Sequence, residues 1–212
     1  LALGAAELSL LEVASAYSTL AALGMHAEPM SVRDIVEPNG KTLGKKTMRG
    51  KKAIPAEAAY LTVNLMKGVL NRGTGVRARG MGFSYPAAGK TGTTNNYHDA
   101  WFVGFTPSLL CAVWVGFDKD RDVNLAGSTA ALPIWVRFMK SQLAGSVPED
   151  WEPPSNVVFH KVDYENGKLS VYGCPKVIEE AFLEGVEQTE ECDVHKDNVI
   201  EFFKKKVGGS NQ

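Results

Sequence analysis

Long apolar runs are missing from this chain of 212 residues, and so is any excess of charge of one sign, since 23 Lys and Arg stand against 24 Asp and Glu. No stretch approaches the roughly 18 apolar residues of a membrane span, and no charged-then-apolar signal opens the sequence. The formal net charge of −1, with charges scattered, leaves no basic footprint for nucleic acid and no acidic tail. Lys204-Lys205-Lys206 reads as a solvated helix end. Cysteine is scarce too, and three are too few for a disulfide scaffold. Cys111 lies inside the apolar run Leu109 to Val115, where a buried inert thiol is the expectation. Cys174 and Cys192 sit in polar, loop-like surroundings and form a candidate disulfide if the compartment is oxidising. A zinc set of Cys174, Cys192, His195 and His160 is the less favoured alternative, because it lacks the paired C-x-x-C spacing of structural sites. No metal and no cofactor are expected.

What is present is a 44% hydrophobic content, enough for one sizeable domain or a domain with an appendage. Ser9-Leu10-Leu11-Glu12 is a capping box, and Leu10, Val13, Ala14, Tyr17, Leu20 and Ala21 follow at helical spacing until Gly24. Ile35-Val36 before Pro38-Asn39-Gly40 predicts a short hairpin, and Lys41 to Lys52 reads as a basic linker. Pro55 opens a second helix whose apolar stripe is read as Ala58, Leu61, Leu65, Met66 and Val69, ending near Arg72-Gly73. Gly73, Gly75, Gly80 and Gly82, with Arg72, Arg77 and Arg79 among them, read as a flexible cationic loop that is either plain surface or one wall of a cleft.

From Ala87 the period changes to two. Strands are predicted through Lys90 to Thr94, from Ala100 to Phe105 and from Leu109 to Phe117, antiparallel because short turns join them. Trp101, Val103 and Phe105 share one strand face and read as core. Asp118 to Asn124 is a charged turn region. Past the small residues Ala126 to Ala131, Pro133 opens a helix with Ile134, Trp135, Phe138 and Met139 on its buried side. Pro148 to Pro154 marks a composition break, so the domains are expected at 1–147 and 148–212. The second part reads as a hairpin from Val157 to Tyr172 turning at Asn166-Gly167, a loop holding both polar-context cysteines, and a last helix from about Asp197 to Val207.

The chemistry concentrates in Lys90-Thr91-Gly92-Thr93. Two hydroxyls two apart on one strand face, a cation beside them and a glycine between them suit an edge that meets a carboxylate and an extended backbone. The N–H of Thr93 is free for an oxygen if the edge is open, and Lys90 favours an oxyanion. On the tripeptide alone, an ordinary edge strand protected by Lys and Thr explains as much.

The longer run from Ala87 to Pro107, A-A-G-K-T-G-T-T-N-N-Y-H-D-A-W-F-V-G-F-T-P, closely resembles the third-motif strand of penicillin-binding proteins, in particular the bifunctional class A peptidoglycan synthases. Leu1 to Gly24, with L-A-L-G-A-A-E-L-S-L-L-E-V-A-S-A-Y, resembles the helix that follows their second motif. Val113-Trp114-Val115-Gly116, the segment Ala130 to Phe138, and F-L-E-G-V-E-Q-T-E-E-C from Phe182 to Cys192 are similar as well. The resemblance implies an α+β fold of the β-lactamase and penicillin-binding-protein type, a five-stranded antiparallel sheet with flanking helices. This chain would supply the later three strands, without the part that holds the nucleophile helix. It also implies serine acyl transfer between stem peptides, with β-lactams as mimics of the D-Ala-D-Ala dipeptide. Lys90, Thr91, Gly92 and Thr93 would hold the substrate, with Lys90 and the backbone N–H of Thr93 acting in catalysis.

The sequence departs from the family at one point. No serine is followed three residues later by lysine, and none two residues later by asparagine. Ser9 heads S-L-L-E and Ser155 heads S-N-V-V. The chain starts at Leu1, so it is expected to be an excised piece, inactive alone, of a parent anchored upstream at the periplasmic or extracytoplasmic face of the membrane. A class A β-lactamase is disfavoured, because those proteins tend to end soon after the motif whereas this chain runs 120 residues beyond Gly92. The alternative is a non-catalytic module that binds peptide termini along an exposed strand edge, and the same edge is a candidate surface for a homodimer.

Overall fold

The computed structural model describes residues 7–94, 98–117 and 121–196. Two compact units divide the chain, residues 1–152 and 153–212. The first extends past the composition break at Pro148 because Trp151 is one of its core residues: the indole donates to the Ala21 carbonyl at 2.8 Å, and the ring stands edge-on to Phe105, 5.7 Å between centroids.

In the first unit, α1 (Leu10–Ala21) starts on the capping box that the sequence announces. Ser9 accepts from the Glu12 N–H, and the Glu12 carboxylate accepts from the Ser9 N–H at 2.8 Å. Gly24 ends the helical stretch with φ +92°, and a Cβ there would lie 2.3 Å from the Ile54 carbonyl oxygen. β1 (Met25–His26) follows, then the hairpin of β2 (Asp34–Val36) and β3 (Thr42–Lys45), whose register shifts at Ile35/Val36. The basic segment from Lys41 to Lys52 is not a linker. It contributes β3 and also β4 (Lys51–Lys52), which pairs antiparallel with β1.

α2 (Ala56–Asn71) buries Ala59, Tyr60, Val63, Met66 and Leu70. Of the predicted stripe only Met66 is buried; the rest lies one position out of phase, and Leu65 is 65% exposed. The spacing 59, 63, 66, 70 is as helical as 58, 61, 65, 69, and periodicity alone does not choose between two apolar faces. The glycine-rich stretch beyond α2 is also more ordered than its composition suggests. α3 (Arg77–Gly80) forms there, and Arg79 donates to the carbonyls of Phe83 and Tyr85, both at 2.8 Å, and to Asn71 Oδ1.

The sheet that organises this unit has strand order β5-β6-β7: β5 (Ala88–Thr93), β6 (Ala100–Phe105) and β7 (Leu110–Val115), all antiparallel. The reading of β6 put its core on one face only, and both faces are covered. Val103 and Phe105 are buried on one side, where Tyr17 of α1 meets Phe105 edge-on. Phe102 and Gly104 face α4 (Ala131–Gln142) on the other, with Trp135 fully buried against Phe102 and Phe83. α4 buries Ala131, Leu132, Trp135, Val136 and Met139, whereas Ile134 and Phe138, expected inside, are 48% and 43% exposed. Glycine is required where these layers touch. A Cβ on Gly104 would lie 2.6 Å from the Trp135 ring, and one on Gly127 would lie 2.2 Å and 2.6 Å from the carbonyl oxygens of Trp101 and Gly92.

In the second unit, β8 (Val157–Asp163) pairs antiparallel with β9 (Val177–Leu183) over its full length. The expected return strand to Tyr172 is reduced to an isolated bridge at Leu169, although the chain does turn at Asn166-Gly167, with Gly167 at φ +71°. Leu169 is taken by another segment: its N–H donates to Glu190 and its carbonyl accepts from the Cys192 N–H, both at 2.8 Å. The predicted last helix lies outside the described residues, among which no helix is long and apolar enough to cross a membrane.

Two measurements follow from this packing. Trp135→Ala is expected to lower the unfolding free energy in urea by about 3–5 kcal/mol, whereas Leu65→Ala changes it by less than about 0.5 kcal/mol. In thermal unfolding, Gly127→Ala is expected to destabilise by about 1–3 kcal/mol, because the methyl meets backbone that cannot move aside. Gly44→Ala, with nothing within 4 Å of the added carbon, serves as the neutral control.

Candidate functional site

β5 is an edge strand among the described residues, paired with β6 and with no strand on its other side. Which backbone groups it presents follows from the ladder. The Thr94 N–H donates to the Asp99 carbonyl at 3.2 Å, in register with the Thr93 and Ala100 pair. Alternation then directs the N–H groups of Gly92 and Lys90 toward β6, and those of Thr93 and Thr91 toward the open edge.

The four side chains divide between two faces. Thr91 and Thr93 lie on the face of Phe102, and Lys90 and Gly92 on the face of Trp101 and Val103. Lys90 is exposed, and its ammonium donates to the Thr91 carbonyl at 2.7 Å, so the cation lies along the open edge. The Thr91 hydroxyl is 2.8 Å from that of Thr74, in the glycine-rich loop after α2. The Thr93 hydroxyl accepts the Gly127 N–H at 3.2 Å. Gly92 is set by its neighbour across the ladder, since a Cβ there would stand 3.0 Å from that of Trp101. Beyond the strand, Asp99 accepts from the Trp114 indole at 2.8 Å, and its N–H donates to the Thr94 hydroxyl at 2.8 Å.

Chemically this edge combines one exposed cation, two hydroxyls held by their own partners, and two outward N–H groups. Such an array has the charge and hydrogen-bonding groups that would suit a carboxylate and a strand-like ligand. It contains no nucleophile beside a base. Thr74 and Gly127 were not singled out by sequence reasoning, and nothing local marks them: both reach β5 from other parts of the chain.

In the second unit the two cysteines are unbridged. They stand with Asp163 and His195, one ligand atom from each residue, all within 4.8 Å of one another. His160, named in the zinc alternative, is not among them. It sits on β8 in edge contact with Phe182, and Asp163 takes the place given to it. Burial pushes the Cys174 thiol up to about 11. At Cys192 burial acts in the same sense, but hydrogen bonds from Asn166, the His195 backbone, Cys174 and the His195 ring outweigh it and bring the thiol to about 7.

Comparison with known proteins agrees with this architecture. The family model for the penicillin binding protein transpeptidase domain matches residues 1–140, and that for the penicillin-binding protein 1A C-terminal domain matches residues 153–197. Penicillin-binding protein 1A of Aquifex aeolicus is 37% identical over 163 residues, covering 76% of this chain and 22% of that protein. Penicillin-binding protein 1B of Escherichia coli is 39% identical over 166 residues, covering 77% and 19%. The chain thus spans about a fifth of the length of these relatives. Among solved structures, penicillin-binding protein 1A from Haemophilus influenzae superposes with a TM-score of 0.81 at 26% identity, over 90% of this chain and 34% of that one. PonA1 from Mycobacterium tuberculosis in complex with penicillin V gives a TM-score of 0.58 at 34% identity, over 66% of this chain and 40% of that one. The resemblance noted on the Lys90 strand therefore extends through both units, and the chain belongs to the penicillin-binding protein transpeptidase family.

Proposed function

We propose that this chain supplies the substrate-positioning wall of a peptidoglycan D,D-transpeptidase that cross-links stem peptides by serine acyl transfer outside the cytoplasmic membrane. The observation that carries the reading is the open edge of β5, where Lys90 and the outward N–H groups of Thr91 and Thr93 lie side by side with no nucleophile among them. A serine outside these 212 residues attacks the carbonyl of the D-Ala-D-Ala bond. Its oxygen forms the ester, the amide C–N bond breaks, and D-alanine leaves with a proton.

In that reaction the terminal carboxylate of the stem peptide takes the Lys90 ammonium from the Thr91 carbonyl and meets the threonine hydroxyls. The Thr93 N–H is one of two donors to the developing oxyanion. An amine from a neighbouring strand of peptidoglycan then opens the ester. A β-lactam enters by the same route, its carboxylate and strained amide standing for the dipeptide. Thr74 belongs to this wall through its hydroxyl contact with Thr91, and its part is to orient that side chain.

Fluorescent penicillin tests the reading in two arms. The 212-residue chain is expected to take no covalent label. The longer protein, with the S-x-x-K segment joined upstream, is expected to label at that serine, and Lys90→Ala and Thr91→Val to slow acylation by about 10²–10³-fold. A label on any serine within residues 1–212, or acylation unchanged in both variants, overturns it.

A further inference from the structure

The second unit has almost no apolar core. Of its described residues, 153–196, only Val157, Val162, Asp163, Cys192 and His195 are buried, so three of the five carry metal-ligating groups. Units this small generally need a disulfide or a metal in place of the core they cannot build. The buried polar groups gather at one place, where the end of β8, the Cys174 loop and the Cys192–His195 turn meet.

We infer that Asp163, Cys174, Cys192 and His195 form a tetrahedral site for zinc, a structural centre that holds the two loops on the β8–β9 hairpin. The four donor atoms lie within 4.8 Å of one another. A tetrahedral zinc with Zn–S of about 2.3 Å and Zn–N of about 2.0–2.1 Å separates its donors by roughly 3.3–3.8 Å, so the ion would draw the widest pairs inward and part the 2.9 Å Asp163–His195 pair by a few tenths of an ångström.

The supporting groups are arranged for ligation. Asp163 is 1% exposed, and its Oδ1 accepts the N–H groups of Glu165 and Asn166 at 2.9 and 3.2 Å, which fixes the carboxylate. Its Oδ2 is fully buried and turned into the cluster, where its contacts are with the other members of the set: an ion-pair distance of 2.9 Å to His195 Nδ1 and an interaction with the Cys174 thiol. That same nitrogen is 3.3 Å from Cys192 Sγ, so one imidazole atom faces two acceptors that it cannot both serve with a single proton. On the far side of the ring, Nε2 faces the Glu165 carboxylate at 3.7 Å, the place where ligating histidines usually meet an outer carboxylate. Each sulfur is steadied by an N–H: Val171 to Cys174 at 3.3 Å, and the Asn166 amide to Cys192 at 3.2 Å.

Donor chemistry selects the ion. Two sulfurs and an imidazole suit zinc or cobalt, and calcium or magnesium would require a shell of oxygens. With all four positions filled by protein the site is closed, which is the structural rather than the catalytic pattern. The inference is independent of the transpeptidase reading.

The test uses the whole 212-residue chain, reduced and metal-free, titrated with zinc chloride and separately with cobalt chloride. One zinc per chain is expected, with tetrahedral d–d absorption and a thiolate-to-cobalt charge-transfer band for cobalt. Chelation should lower the unfolding temperature. Cys192→Ser and Asp163→Asn, the latter retaining an acceptor for the 165 and 166 N–H groups, should each weaken zinc by at least tenfold, about the smallest effect of disturbing even an outer partner. His160→Gln should leave affinity unchanged. If a variant unfolds the unit, the stoichiometry and cobalt spectrum of the unsubstituted chain decide alone. The inference is overturned by absence of stoichiometric zinc, by a cobalt spectrum without thiolate bands, or by a Cys174–Cys192 disulfide that forms with zinc present.

Discussion

Trp135 reaches the backbone of β6 because residue 104 has no side chain, and its indole N–H closes on the Gly104 carbonyl at 2.9 Å. A fully buried tryptophan needs both a partner for that N–H and surface for its rings, and β6 supplies the first while Phe83 and Phe102 supply the second. The contact locks α4 across the sheet and makes β6 a strand covered on both sides, with Tyr17 and Trp151 meeting Phe105 on the opposite face. Much of the first unit is arranged around that sandwiching of one six-residue strand.

Rigid placement of β6 also places the candidate edge. β5 is joined to β6 residue by residue from Ala88 to Thr93, so the positions of Lys90 and both threonines are inherited from the buried strand rather than set by the solvent-facing loop. Gly127 adds a second constraint, its lack of a side chain allowing the segment before α4 to rest on the carbonyls of Gly92 and Trp101 while its N–H holds the Thr93 hydroxyl. Groups held this way need little reorganisation when a charge arrives, which is the property the proposed oxyanion-stabilising role requires. Lys90 is the exception, exposed and resting on a carbonyl it can leave.

Features specified by neighbours in sequence were legible without coordinates. The Ser9/Glu12 capping box, the turn at Pro38-Asn39-Gly40 and the period-two strands with their short connections depend on residues a few positions apart. What could not be read depends on partners far along the chain. α2 carries two apolar stripes of equal period, and only packing selects the one through Ala59, Val63 and Leu70. α4 turns Ile134 and Phe138 outward for the same reason. Lys51-Lys52 has the composition of a linker and becomes a strand because Met25-His26 is there to pair with it. The β5 motif itself was visible, but the Thr74 hydroxyl beside Thr91 comes from 17 residues away and leaves no local signature.

The second unit shows the opposite balance between apolar and polar burial, and this bears on how its cysteines read in the sequence. Scarcity of apolar residues in the tail reads as a loop-rich appendage, for which a disulfide is the usual staple. Spacing arguments looked for C-x-x-C, but the local pair here is Cys192 and His195, a C-x-x-H step. The hairpin contributes Asp163 rather than His160 because strand side chains alternate and only the residue at the end of β8, where the chain turns, can leave the pleat to face the loops. A carboxylate held by two backbone N–H groups on one oxygen, with the other shared between a histidine and a thiol, is costly to bury in a unit with so little apolar surface to offset it. A cation at the centre of the four donors turns that burden into the main cohesive interaction of the unit, which a disulfide between the two sulfurs would leave unrelieved.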